Sequence, residues 1–241
     1  MTKVRIGTAG WSIARDAAER FPADGSGLER YAARFDAVEI NSSFHRPHRA
    51  STWQRWRDSV PERFRFAVKI PKWITHEAKL ADCKEAVGTF IGEAGALGEK
   101  LGVLLVQLPP KLVLDAGVAK RFFEDLAKRT PAVIACEPRH ASWFEPEADD
   151  LLQCLRVTRV AADPARHGGA ERPGGWRGLG YWRLHGSPVM YRSSYADRIA
   201  HYAAALRAEL AAGHETWYVF DNTASSAATG DALALADALG A

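Results

Sequence analysis

Eight short apolar or alternating runs, separated by stretches of helical period, constrain what this sequence can fold into more than any other feature. They cover residues 4–7, 37–40, 65–70, 102–108, 133–137, 159–162, 181–184 and 217–220, and most are rich in Val, Ile, Leu or aromatic residues. Such runs predict strands. Between them, Leu28, Tyr31, Ala32 and Phe35 share one helical face, and Ser51 offers an N-cap ahead of Trp53 and Trp56. Segments 84–97, 118–128, 148–155, 197–212 and 226–239 complete the helical set. Strands alternating with helices predict parallel pairing through right-handed crossovers. Eight of them in 241 residues suit a closed α/β barrel of the (β/α)8 TIM-like class better than an open sheet. Residues 164–178, rich in Gly, Pro and Arg, cannot form a regular helix, so an irregular wall lacking the helix between strands six and seven is expected. No linker-like change of composition occurs elsewhere, and a single domain over residues 1–241 is expected.

Composition narrows the setting. The chain is 47% hydrophobic and 25% charged, and it contains no apolar stretch of about 18 residues, which excludes a spanning helix. It enters a strand-like segment at once, without a signal core, and its three cysteines, Cys83, Cys136 and Cys154, read as buried thiols of a reducing compartment. A cytoplasmic protein is expected. The net charge of +3 is too balanced to predict a nucleic-acid partner by itself. The local run Arg46, Arg49, Arg55, Arg57, Arg63 and Arg65 keeps nucleic acid as a weaker alternative to a solvated face.

The polar residues that punctuate the strand ends carry the functional signal. Glu39 and Asn41 end the second strand, Lys69 the third, Gln107 the fourth, Glu137 the fifth with Arg139 just beyond, and Asp163 the sixth. Arg183 and His185 end the seventh, and Asp221 and Asn222 follow the eighth. Alternation places Arg183 and His185 on one face while Trp182 and Leu184 turn toward the helices. A buried charge costs several kcal/mol unless it is paired, roughly, so a ring of such residues is costly as mere solubilising surface. Structural plugging by ion pairs such as Lys69 with Glu39 is the plain alternative.

These segments together resemble the DUF72 family, the YecE-like proteins. The resemblance is carried by Gly7-Thr8-Ala9-Gly10-Trp11, Val38-Glu39-Ile40-Asn41-Ser42-Ser43-Phe44, Phe64-Arg65-Phe66-Ala67-Val68-Lys69 and Ile74-Thr75-His76. Further on it is carried by Val106-Gln107-Leu108-Pro109-Pro110, Glu137-Pro138-Arg139-His140-Ala141-Ser142-Trp143-Phe144, Tyr181-Trp182-Arg183-Leu184-His185-Gly186 and Phe220-Asp221-Asn222-Thr223. It implies a TIM-like barrel and supplies no reaction. His45 stands where the family pattern usually has Tyr, and Asp221 where it usually has the first of two Asn residues.

As chemistry, Glu39 and Glu137 are candidate acid–base carboxylates, His185 a candidate proton shuttle, and Lys69 a cation kept protonated by Glu39 beside it. Asn41, His45, Gln107, Arg139, Asp163, Arg183, Tyr195, Asp221 and Asn222 are candidate substrate-binding residues. Thr223, Ser225 and Ser226, opening the last helix, suit an anion or simply a helix cap. Trp11 and Trp143 are candidate pocket linings. No cofactor is expected: nucleotide-binding glycine loops are absent, and a divalent metal on Glu39, Glu137, Asp163, His185 and Asp221 is the lesser alternative because Lys69, Arg139 and Arg183 would repel it. The expected partner is a small polar, anionic or sugar-like molecule turned over by acid–base chemistry. A non-catalytic ligand-binding barrel and a nucleic-acid-binding or phosphodiester-processing protein are the alternatives. The oligomeric state is left open by the sequence.

Overall fold

Strand propensity and helical period alternate in the computed structural model as the sequence predicts. The structure describes residues 4–240; residues 1–3 and 241 of the expected domain lie outside them. In chain order the elements are β1 (Val4–Thr8), α1 (Gly27–Ala32), β2 (Ala37–Ile40), α2 (Ala50–Asp58), β3 (Arg65–Lys69), α3 (Lys84–Ala94) and β4 (Leu101–Gln107). There follow α4 (Ala116–Arg129), β5 (Val133–Glu137), α5 (Pro146–Cys154), β6 (Val157–Arg159), β7 (Ala161–Asp163), β8 (Gly174–Gly175), β9 (Leu179–Leu184), α6 (Ile199–Ala211), β10 (Glu215–Phe220) and α7 (Ala227–Leu239). Local chemistry sets several helix starts. Ser26 and Glu29 form a reciprocal capping box on α1, Asp115 caps α4 through the Val118 N–H, and Pro146 occupies the first turn of α5.

The fold is a TIM-like α/β barrel whose wall is split into two sheets. One has the order β1-β10-β9-β7, the other β2-β3-β4-β5-β6-β8. All pairings are parallel except that of β6 with β8. The sixth strand of the expected barrel changes sheets at Val160: its first half pairs with β5 and its second half with β9. No helix lies between β7 and β9; the short β8 folds back onto β6 instead. Gly175 there has φ +58, and a Cβ would meet Val157 O at 2.7 Å, so the closely applied hairpin needs glycine.

Side-chain hydroxyls bridge both seams between the sheets. At the β1/β2 seam the Tyr31 hydroxyl accepts from Thr8 N at 2.8 Å and donates to Ala37 O at 3.2 Å, while Gly10 N donates to Glu39 O at 2.8 Å. At the other seam Thr158 Oγ1 lies 2.9 Å from Trp176 O and 3.1 Å from Leu179 O. These satisfy backbone groups that a continuous ladder would otherwise pair.

The lumen explains how a charged layer is reached. Small residues, Ala37, Ala67 and Ala135, leave space for Tyr181 and Trp217, which stack at 5.9 Å. Val103, Leu105, Val160 and Val219 fill the remainder. Outside the strands, the larger apolar cluster packs the helices against the barrel. Cys83 and Cys136 are buried as expected, but Cys154 is exposed, because the last turn of α5 carries it on its outer side. Among the described residues no helix is long and apolar enough to cross a membrane.

Two substitutions test the β1/β2 seam. A Cβ on Gly7 would sit 2.2 Å from Ala37 O, so Gly7→Ala should destabilise by about 2 kcal/mol or more through a backbone clash. Tyr31→Phe leaves two buried backbone groups unpaired and should cost about 1–3 kcal/mol. Urea unfolding of both variants, with unchanged midpoints, would show that the seam is not a stabilising contact.

Candidate functional site

Parity along each strand decides which polar residues enter the lumen. Val103 and Leu105 point inward, and so therefore does Gln107; Ala135 brings in Glu137, Ala37 brings in Glu39, and Tyr181 brings in Arg183. Arg183 is completely buried and crosses the lumen. Its Nε and Nη2 donate to the two oxygens of Glu39 at 3.0 and 2.7 Å. Nη2 also donates to Asp221 Oδ2 at 2.9 Å, and Nη1 donates to Glu137. Tyr181, which the sequence reading passed over, donates its hydroxyl to Glu39 at 2.8 Å. Its position two residues before Arg183 was the signal available.

His185 completes the array. Its Nδ1 lies 2.9 Å from Asp221 Oδ2 and its Nε2 3.1 Å from Glu137 Oε1. Ionised carboxylates only accept, so both ring nitrogens donate and the ring is an imidazolium. Burial opposes that charge, but Glu137 and the bond to Asp221 raise the His185 pKa above the ordinary value. Burial likewise opposes ionisation of Glu137 and Asp221. Arg183 and His185 nevertheless hold both below the usual carboxylate range, with Arg139 also acting on Glu137. Arg139 donates to Glu137 Oε1 from Nε and Nη2, each at 3.2 Å. The remaining space here is small: Glu137, Arg139 and His185 border a cavity of about 20 Å³, room for about one water.

Lys69 departs from expectation. The predicted ion pair with Glu39 is not formed, because Arg183 and Tyr181 occupy both Glu39 oxygens. The Lys69 side chain has no hydrogen bond or ion pair among the described residues; its ammonium lies 4.1 Å from the centre of the Phe44 ring. Burial and the Arg183 charge push its pKa down to about 8, against the pull of Glu39, Glu137 and Asp221. The other buried lysine, Lys100, is by contrast bonded to Arg57 O and Val60 O at 2.9 and 2.8 Å.

Several expected site residues face elsewhere. Val160 points into the lumen, so parity turns Asp163 outward, where it accepts from Arg198, Tyr195 and Tyr202. Tyr195 is buried and also accepts from Gly186 N, pinning the loop after β9 rather than facing the mouth. Asn222, one residue past the inward Asp221, points to α7 and donates to Asp231 and Ser193 O. Asn41 is half-buried and its Oδ1 has no partner. His45 is exposed and borders a groove of about 650 Å³, shared with Phe44, Trp53, Trp73 and Phe90. Of the aromatics, Trp143 is buried with its indole N–H on Leu112 O, while Trp11 packs against Trp56 at 5.2 Å. Ser225 donates to Arg192 O, and Ser226 adopts φ +62 without a side-chain bond capping α7, so the expected helix cap is not formed.

Among the described residues, no group of three or more His, Cys, Asp or Glu has the arrangement to hold a metal ion. Arg183 occupies the centre of the carboxylates, and Asp163 stands apart from them. The arginine run after β2 is also divided. Arg46 and Arg49 follow the C-terminal end of β2, whereas Arg63 and Arg65 lie at the start of β3, at the opposite end of the barrel.

The charges predict opposite responses. Arg183→Met strands three buried carboxylates and should cost about 3–5 kcal/mol. Lys69→Met should raise stability at pH 7, by about 1–3 kcal/mol, because the folded state disfavours the ammonium. With its folded pKa about 8, Lys69 loses its proton in the fold before the unfolded chain does, so the advantage of Lys69→Met should shrink between about pH 8 and 10. Glu137 and Asp221 contribute stability above their ordinary pKa values, lost as pH falls through their lowered folded values. Thermal melts across pH check each sign, and a Lys69→Met variant less stable than the parent would contradict this account.

Comparison with known proteins places the chain. The family described as "Protein of unknown function DUF72" matches residues 5–241. The UPF0759 protein YecE of Escherichia coli K12 is 34% identical over 82 residues, which span 34% of this chain and 30% of that protein's length. A DUF72 family protein of Enterococcus faecalis V583 superposes with a TM-score of 0.80 at 19% identity, covering 99% of this chain and 96% of that one. A DUF72 family protein of Thermotoga maritima MSB8 superposes with a TM-score of 0.77 at 23% identity, covering 99% and 100%. The chain belongs to the DUF72 family.

Proposed function

We propose that this protein is an enzyme that acts by acid–base chemistry on a small polar, anionic or sugar-like molecule at the C-terminal mouth of the barrel. The observation that carries the reading is Lys69: a largely buried side chain whose ammonium makes no ion pair or hydrogen bond among the described residues, beside five charged groups that pair with one another. Evolution of a merely structural plug would pair or remove such a charge, since an unpaired buried cation destabilises the fold. A pKa of about 8 suits a group that enters the reaction as ammonium and gives its proton to a developing oxyanion. Arg183, His185, Glu137, Glu39 and Asp221 supply a fixed field around it, a role that needs no reorganisation during the reaction. His185, clamped on both nitrogens, serves that field rather than shuttling protons.

The lowered pKa of Lys69 and the lack of a direct ion pair with Glu39 also favour a second use, as an amine that condenses with a carbonyl substrate. Borohydride reduction separates the two, because only an imine leaves a stable covalent adduct on Lys69.

The test is chemical conversion, including exchange at a carbon whose proton passes to solvent water while Lys69 protonates the oxyanion. Wild-type protein is incubated in D2O with a panel of sugars, sugar phosphates and hydroxy or keto acids, and C–H signals are followed by NMR. At least one compound should exchange or isomerise with the wild type and not with Lys69→Met. The rate should fall as pH rises through about 8, as the acid form is lost. A compound retained tightly yet chemically unchanged over long incubation would instead establish a ligand-binding barrel.

A further inference from the structure

The mouth holds more donors than acceptors on one side. Every carboxylate of the ring is already engaged: Glu39 by Arg183 and Tyr181, Asp221 by Arg183 and His185, Glu137 by Arg183, Arg139 and His185. The donors left over lie together above β3 to β5. Lys69, nine-tenths buried, offers its whole ammonium. Arg139 spends Nε and one Nη2 N–H on Glu137 and has Tyr191 as a further partner, which still leaves donors to spare among its five N–H groups. His76 binds the Thr75 hydroxyl through Nδ1 at 2.9 Å, which leaves Nε2 free.

Phe44 gathers this group. Its ring lies 4.1 Å under the Lys69 ammonium and makes an edge contact with His76 at 5.1 Å, between centroids. His76 sits in a turn of π-helical hydrogen bonding, Trp73–Glu77, directly after β3, a distortion of helix geometry often found at functional positions. Lys69 and Arg139 both act on His76: burial first, then these two charges, lower its pKa below the ordinary histidine value. Two cationic side chains thus act on one imidazole, with Glu77 opposing them and Arg139 already paired with Glu137.

We propose that Lys69, His76 and Arg139 form a binding site for a carboxylate or phosphate group of the substrate, with His76 a binding residue for it. This rests on the reading of the mouth as a substrate site and narrows it to substrates that carry an oxyanion. The anion supplies the counter-charge that Lys69 lacks, and a planar or tetrahedral oxyanion can accept from ammonium, guanidinium and imidazole together. Its arrival favours the protonated forms of Lys69 and His76, so binding takes up protons near pH 8 and weakens as pH rises. Around Lys69 the facing charges are Arg183 from β9, Glu39 from β2, Glu137 from β5 and Asp221 after β10. Around His76 they are Lys69, Arg139, Lys72 and Glu77. The ring charges are locked in their own bonds, so the change with pH belongs to Lys69 and His76.

The experiment is calorimetric titration of the full chain with inorganic phosphate and, separately, acetate, at pH 7 and pH 9 and in buffers of different ionisation enthalpy. Wild-type protein should bind at least one of the two about 10-fold more tightly at pH 7 than at pH 9, with net proton uptake near pH 8. Lys69→Met and His76→Gln should each weaken it by about 3- to 10-fold or more, while Lys111→Met, an exposed lysine on the same face, should not. The stronger of the two probes identifies the anion as phosphate or carboxylate. Equal binding by wild type, Lys69→Met and His76→Gln, or no binding of either probe, overturns the proposal. His76→Gln changes a half-buried loop residue and keeps the test open should Lys69→Met fold poorly. The two readings fail separately. Anion binding lost in the variants without any turnover leaves the anion site standing and removes the enzyme. Turnover that depends on Lys69 with no anion dependence does the reverse.

Discussion

One guanidinium bonded to three carboxylates from three walls of the barrel sets the terms for the rest of this molecule. Arg183 can donate in a planar fork, and Glu39, Glu137 and Asp221 take up that fork from β2, β5 and the end of β10. Desolvating four charges is costly, and the geometry offsets this only if each oxygen finds a donor. Tyr181 and His185 supply the remaining donors, which is why the array is both buried and ionised. The alanines lower in the lumen follow from the same requirement, since Tyr181 can reach Glu39 only if the walls opposite are small.

The closed array has a consequence for chemistry. Glu137 and Asp221 are held below the usual carboxylate range and Arg183 above its ordinary value, which leaves these groups little freedom to exchange protons. Lys69, at the edge of the ring, is held by no such bond among the described residues. The same logic governs the wall. Two sheets meet at seams where strands approach too closely or change partners, and the hydroxyls of Tyr31 and Thr158 replace the missing ladder. The backbone groups at the seams and the carboxylates of the ring are satisfied, whereas Lys69 makes no hydrogen bond or ion pair among the described residues.

Much of this was legible beforehand, and the failures have a common cause. Alternation of strands and helices, the missing helix after residue 163, and the inward set Glu39, Gln107, Glu137, Arg183 and His185 follow from spacing alone. Asp163 and Asn222 face elsewhere because a polar residue near a strand end need not point inward. Counting from Val160 or Asp221 turns both toward the helices. Tyr181 was legible by that same count. His76 was not, because its place depends on a π-helical turn with no clear signature in residue spacing.

The sequence by itself determined which residues alternate, where each strand stops, and hence which face each polar side chain takes. It also determined that charges of both signs would meet at one end of the barrel. Only the tertiary structure decided which charge pairs with which. Parity fixes in or out, but the position around the barrel and the reach of each side chain depend on the register of strands distant in sequence. Sequence neighbours suggested Lys69 for Glu39; the fold brought Arg183 across the lumen to take that carboxylate, and so left Lys69 free.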